Sequence, residues 1–313
     1  MLRARAIMIV AAIAVFAAAC GTADGPAANS AAPAPDPRVE HLKRVRTAIE
    51  PFFEPMQIRE GDWLSSQREE GETFEEYLAS DPPLPTRERN TIYVLPVGSF
   101  TAQQRRAIEL AAEYMRAYYD LPVRELPETK LGTVPREMQR RLEYRNNLQI
   151  RTEFFLEEML PQRLPDDGAA LIAFTNYDLY PSETWAFVFG QASLKHRVGV
   201  WSLYRFADLK TGRYNERLLT DRTLKIAMHE TGHMFGMKHC IKYECLMAGT
   251  NHLAETDRRP LDNCPECMAK LAWAMDYDPV ERYRNLEAFW RSQGRREEAG
   301  LMAKKAEAAA AVK

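Results

Sequence analysis

Residues 229–240 read HETGHMFGMKHC, a run that commits the chain to a helix stopped at a fixed point. His229 and His233 lie four apart, so on a helix both imidazoles project from one face and can reach one metal ion. Two ligands are one short of the three that a catalytic zinc ordinarily takes from protein. Gly236 offers a route to the third: a glycine at positive φ ends the helix and turns the chain, so that His239 swings back toward the same ion. Glu230 sits beside the first ligand, where it can take a proton from water without binding the metal. Three neutral nitrogens leave the charge of the ion largely uncompensated, which lowers the pKa of water there toward neutrality. The implied chemistry is metal-assisted hydrolysis, with Glu230 moving a proton from the attacking water to the leaving amine. The plainer alternative is a core helix whose histidines are buried and hydrogen-bonded.

The cysteines crowd in behind this run. Of the five in the chain, Cys240 directly follows the third histidine, Cys245 comes soon after, and Cys264 and Cys267 form CPEC. Two close pairs across a short loop have the ligand pattern of a structural four-cysteine zinc site. Disulfides are the alternative, since an exported compartment permits them, and CPEC alone could be a redox pair. Met247, eight residues beyond His239, is either ordinary core filling or a methionine in a tight turn beneath the histidines.

The rest of the chain alternates helix and strand signals. TIYVLPV (91–97) and ALIAFTN (170–176) read as buried strands, PVRELP (122–127) as a short one, and WAFVFGQAS (185–193) and HRVGVWSLYRF (196–206) as two more. Between them, Ser99 or Thr101 caps a helix with Ala107, Leu110, Ala111, Tyr114 and Tyr118 at helical spacing. A polar helix or helix pair is expected over Arg136 to Met159, and Thr220 or Asp221 as the cap of the metal-site helix. Asp278-Pro279 starts a further helix that stops near Gly294, and residues 293–313 are expected to fray for want of anything to pack on. This pattern predicts an α/β sheet domain. Residues 91–292 are expected to form the catalytic domain, and residues 39–90 an extension packed on it.

The N-terminus has a separate job. MLRARAIMIVAAIAVFAAAC sets two arginines, an apolar run too short to span a bilayer comfortably, and small residues before Cys20. Residues 1–20 therefore read as a lipoprotein-type signal peptide with Cys20 as the acylated residue, and the Ala/Pro-rich residues 21–38 as a tether. The expected address is an exported, membrane-anchored form facing the periplasm from the outer membrane. With 42 basic and 44 acidic residues interspersed, no basic stripe suggests nucleic acid.

His229-Glu230, His233, Gly236, His239-Cys240, Cys245, Met247, Cys264 and Cys267 together resemble the archaemetzincins, a branch of the metzincin metallopeptidases. Gly61-Asp62-Trp63-Leu64, Thr73-Phe74-Glu75-Glu76-Tyr77, IYVLPVGSF, DLYPSETWAFVFGQAS, VWSLYRF and CPECMAKLAWAM also look like family segments, so the likeness covers residues 60–292. The resemblance implies a metzincin-like α/β fold: a twisted mixed sheet with the active-site helix beneath it, and a mostly helical lower part. It implies two zinc ions, one catalytic on the three histidines and one structural on the four cysteines. It implies a Met-turn at Met247, and a peptide or protein substrate lying along an edge strand at Val198–Arg205, with Gly199 and Ser202 in contact. A monomeric zinc peptidase, aminopeptidase-like or highly selective, is the expected function. The alternatives are a zinc-stabilised peptide-binding lipoprotein that no longer cleaves, and a thiol redox protein using CPEC.

Overall fold

In the computed structural model, the described residues are 36–142, 147–206 and 215–312. Cys20, with the expected leader and most of the tether, lies outside them.

Helices α1 (Pro37–Ile49), α2 (Trp63–Ser66) and α3 (Phe74–Ala79) come first. The sheet begins with β1 (Thr91–Val97), followed by α4 (Ala102–Tyr119) and β2 (Val123–Glu125). Strands β3 (Gln139–Leu142) and β4 (Asn147–Arg151) precede β5 (Gly168–Thr175), β6 (Asp178–Tyr180), β7 (Gly190–Ser193) and β8 (Val198–Ser202). The metal-site helix α5 (Glu216–Met234) follows, and the lower part consists of α6 (Leu253–Arg258), α7 (Pro265–Met275), α8 (Pro279–Ser292) and α9 (Arg296–Ala310). Among the described residues, no helix is long and apolar enough to cross a membrane.

Strands β1 and β5 are buried along their whole length and mostly apolar, as parallel strands covered on both faces require. The main sheet runs β2-β1-β5-β8-β7, parallel except for β7, which lies antiparallel to β8. Helix α4 starts in a capping box in which Thr101 accepts from Gln104 N and the Gln104 side chain answers Thr101 N. Its buried face includes Ala107, Leu110, Ala111, Tyr114 and Tyr118 and packs against α5 and α8. This mixed α/β architecture, with helices gathered below the sheet, matches the expectation from the alternating pattern.

Several expectations are corrected. Val198–Ser202 is not an edge strand: β5 flanks it on one side and β7 on the other, so the edge beside it is β7. Gly199 leaves room for the Trp201 indole, which a Cβ there would meet at 1.8 Å, and Ser202 Oγ donates to Tyr177 O at 2.6 Å. Gly199 thus serves the packing of Trp201, and Ser202 ties β8 to the turn after β5. The expected helix over Arg136 to Met159 is instead the antiparallel pair β3–β4 followed by a π-helical turn, Phe154–Met159. Helix α5 begins before Thr220, capped by Asn215, whose Oδ1 accepts from Leu218 N.

The C-terminal residues expected to fray also differ. Helix α9 turns back after Gly294 to pack on α8, burying Ala299, Met302, Ala306 and Ala309. A buried charge cluster ties it down further. Lys305 Nζ reaches Asp262 Oδ2 at 2.9 Å while Arg282 Nη2 of α8 holds Asp262 Oδ1 at 2.9 Å, and all three residues are buried. Burial alone would raise the Asp262 pKa, but Lys305 and Arg282 outweigh it and hold the carboxyl below its usual range. Asp262→Ala would leave two buried cations without their shared partner, and is expected to lower unfolding stability by roughly 3–5 kcal/mol. Urea unfolding of the variant checks this; a change under 1 kcal/mol would show the triad to be dispensable.

Candidate metal centre

Helix α5 stops because Gly236 takes a left-handed conformation, φ +82°. Gly236 N donates to His233 O at 2.9 Å and Met237 N to Gly232 O at 3.2 Å, the paired bonds of a Schellman stop. A side chain would also be unwelcome there, since a Cβ would lie 2.9 Å from Pro82 Cβ. The turn brings His239 back beneath the helix. The His229, His233 and His239 rings then face one another, with centroids 4.6 to 5.2 Å apart.

The outer nitrogen of each ring is engaged. His229 Nδ1 lies 2.9 Å from Leu246 O, His233 Nδ1 2.6 Å from Met237 O, and His239 Nδ1 2.8 Å from Glu69 Oε1. Carbonyl and carboxylate oxygens only accept, so in the neutral rings the protons sit on Nδ1. The Nε2 lone pairs of His229 and His233 therefore face each other at 3.0 Å with no hydrogen to share. That contact is repulsive unless a cation lies against both, and neutral imidazole nitrogens are what zinc prefers. The residues fit the metal that their spacing suggested.

Met247 lies in a turn closed by Ala248 N donating to Cys245 O. Its sulfur packs against the helix at Gly232, where an added Cβ would meet it at 2.6 Å, one residue before His233. Glu230 follows His229 on α5 and is partly buried, and burial pushes its pKa up to about 7 against a smaller downward pull from His239. The same burial works in reverse on imidazoles: His233 is pushed down to about 3, with His239 adding to the effect, and His229 lies well below its usual value.

These depressed values have a sign. Without metal, the folded chain keeps His229 and His233 neutral while the unfolded chain protonates them near pH 6.5, so protons favour unfolding. Their contribution is complete above about pH 6.5 and is lost as pH falls from there toward about 3 for His233. The urea midpoint of metal-free protein is expected to fall between about pH 6.5 and 4.5, because the two histidines outweigh the single opposite contribution of Glu230, whose raised pKa favours the folded chain as pH drops below about 7; the window lies above the range in which Asp262 titrates. A midpoint flat across that window would contradict the buried, neutral assignment.

Behind the histidines, the four sulfurs of Cys240, Cys245, Cys264 and Cys267 lie within 4.8 Å of one another, all buried. Cys240 Sγ and Cys264 Sγ are 3.6 Å apart, far beyond a disulfide bond and close to the sulfur spacing around a tetrahedral zinc with bonds of about 2.3 Å. Backbone amides point at the sulfurs: Cys264 N and Met247 N donate to Cys245 Sγ at 3.2 and 3.4 Å, and Cys267 N to Cys264 Sγ at 3.5 Å. Cys264 is the N-cap of α7, so the positive end of that helix also faces the thiols. The sequence left disulfide and metal both open; this geometry favours metal.

Other polar side chains make structural contacts. His196 pairs with Glu157, and His252 caps α6. Asp178 is buried in a fork from Arg205, at 2.6 and 2.7 Å, and Tyr180 lies under Arg140, so both anchor loops. Sequence reasoning missed Glu69, one of two adjacent glutamates in a polar stretch, because nothing in its local pattern marks a partner 170 positions away.

Comparison with known proteins adds to this geometry. Residues 157–273 match the model of Peptidase family M54. Over 268 residues the chain is 33% identical to Archaemetzincin-2 of Rattus norvegicus and 34% identical to Archaemetzincin-2 of Homo sapiens, in each case spanning 75% of this chain and 74% of the relative. The crystal structure of archaemetzincin from Methanopyrus kandleri aligns with 62% of this chain and 99% of its own, at 23% identity and a TM-score of 0.49.

Proposed function

The chain belongs to the archaemetzincins, peptidase family M54, and is a zinc metallopeptidase; from that premise we propose that Glu230 is its general base and His229, His233 and His239 are its catalytic metal ligands. The observation that carries this reading is the convergence of three Nε2 atoms whose Nδ1 partners leave them no proton, beside the helix that also carries Glu230. A zinc ion there would supply a Lewis acid that polarises the scissile carbonyl and acidifies the attacking water.

The chain's own residues do the rest. Glu230 accepts a proton from the water as it attacks and returns it to the leaving amine. Burial raises the carboxyl's pKa above the usual range and a bound cation would lower it again, so that it could both take up and release a proton near neutral pH. Helix α5 holds His229 and His233 in register, and the Gly236 turn holds His239. Strand β7, the antiparallel edge packed against α5, offers backbone to which an extended peptide could add. The four cysteines are read as ligands of a second, structural zinc, supported by sulfur spacing and by the amides that point at them.

Substrate choice is read as narrow, aminopeptidase-like or highly selective, and the chain as a monomer held to a membrane by a lipid on Cys20. The leader supports the anchor: two arginines, an apolar run and small residues before the cysteine. One preparation tests these readings together. The full chain, expressed in a Gram-negative host, is expected in the detergent phase with two zinc ions per chain, and to cut a peptide library at few positions. Soluble protein would remove the anchor, a single zinc would remove the second site, and intact peptides despite bound zinc would remove the peptidase reading of this site.

A further inference from the structure

The three metal-site histidines are supported unequally. His229 and His233 lean on backbone carbonyls of Leu246 and Met237, close to them in the chain. His239 leans on a side-chain carboxylate, Glu69, brought from the segment between α2 and α3 and outside the residues that match the family model. We propose that Glu69, aimed by Trp63, is the positioning residue that completes the metal centre by fixing the tautomer and orientation of His239. This rests on the reading of His239 as a ligand.

The contact is a built one. Trp63 Nε1 donates to the same Glu69 Oε1 at 2.9 Å, and the Trp63 indole meets the His239 ring edge-on, centroids 5.7 Å apart. Trp63 is buried and held in turn: its backbone N donates to both carboxylate oxygens of Glu255 at 3.2 and 3.0 Å. Arg258 clamps the preceding Asp62 through both oxygens at 2.7 Å. Gly249 makes the space, because a Cβ there would stand 2.5 Å from Trp63 Cδ1 and 3.0 Å from His239 Nδ1. Glu69 Oε2 is buried with no hydrogen-bond partner among the described residues, so the whole hydrogen-bonding role of this carboxylate falls on Oε1 and its two donors.

The chemistry follows from these contacts. A carboxylate accepting from Nδ1–H keeps the proton there, leaves the Nε2 lone pair for the ion, and makes the imidazole a stronger donor than a carbonyl partner would. His239 needs this more than its two companions, because they ride on a helix while it sits in the extended stretch after the Gly236 turn. The N-terminal segment is then part of the metal centre and not a decoration on it.

Glu69→Gln keeps the shape and the acceptor oxygen but removes the charge; Glu69→Ala removes both; Trp63→Phe keeps the ring but removes the N–H. Competition for zinc ion against a chromophoric chelator is expected to show about 10–100-fold weaker binding at the histidine site in Glu69→Ala. Glu69→Gln should fall between that variant and wild type, Trp63→Phe should lose less, and each should keep its cysteine-site zinc. Cobalt substituted at the histidine site should show a shifted visible band in both Glu69 variants, and zinc-free protein should melt as wild type does. Wild-type affinity and an unshifted band in both Glu69 variants would overturn the proposal, as would weakening matched by an equal loss of melting in the zinc-free state. A His239→Ala control separates the premises: if that variant binds zinc as wild type does, the ligand reading itself fails.

Discussion

Glu230→Gln is expected to keep its zinc and lose nearly all turnover, with kcat falling by about 100- to 10,000-fold. The substitution changes almost nothing but proton affinity. Glutamine fills the same volume next to His229 in the chain and leaves the three Nδ1 contacts in place. It cannot accept a proton from water at neutral pH, so the loss should appear in kcat while KM stays close to wild type. The pH profile carries a sign. The base must be ionised, so activity should rise with pH through the Glu230 pKa. That pKa stands at about 7 from burial without an ion, and a dication nearby favours the carboxylate, placing the acid limb below 7 in the loaded enzyme. Zinc analysis beside a peptide-cleavage assay reads both halves. A variant that keeps metal and cuts at the wild-type rate would take the proton-transfer role from Glu230.

Local pattern revealed the parts whose causes are local. The α5 stop was legible because one residue type tolerates φ +82°, and the α8 start because Asp278 caps it and Pro279 suits its first turn. Strands β1 and β5 showed themselves as mostly apolar runs because both faces are buried. Where distant partners decide, the pattern misled. The polar, Arg- and Glu-rich stretch from Arg136 has helix propensity, yet β4 is pinned as a strand by parallel pairing with β6 and by Asn147 and Gln149 donating to Asp178. Residues 296–310 look like a free helical tail until Lys305 finds Asp262. Strand order is likewise silent in the sequence, so no local pattern there could check the edge strand that the resemblance implied at Val198–Arg205. The candidate site divides in the same way: His229, Glu230, His233 and His239 announce themselves by spacing, while Glu69 can be found only once the chain has folded.

Zinc at the four cysteines is expected to matter more to the fold than zinc at the histidines, and the two losses should be unequal in a particular way. Cys264→Ser should cost both ions and the lower part of the molecule; His239→Ala should cost one ion and leave the fold standing. Structural zinc on thiolates is worth about 10–16 kcal/mol near neutral pH, comparable with or larger than the 5–15 kcal/mol by which a whole domain is stable. Without a cation the cluster cannot ionise fully. Hydrogen bonds with the other three thiols hold Cys240 below the usual thiol range, while Cys264 is pushed above it chiefly by burial and Cys267 chiefly by its bonds to Cys240, Cys245 and Cys264. Connectivity sets the direction of the coupling. Cys240 adjoins His239 and its N donates to Met247 O at 2.8 Å, Met247 packs against α5 at Gly232, and Cys264 caps α7. Release of the sulfurs therefore frees a ligand, the Met247 turn and a helix start together. The histidine site has no comparable hold on the cysteines, since α5 is fixed by apolar packing at Leu224, Ala227 and Met228. Zinc stoichiometry with hydrogen exchange over residues 236–292 measures the asymmetry. Wild-type protection in Cys264→Ser, with the histidine ion still bound, would reduce the cysteine cluster to packing, and the amides aimed at its sulfurs would then need another cause.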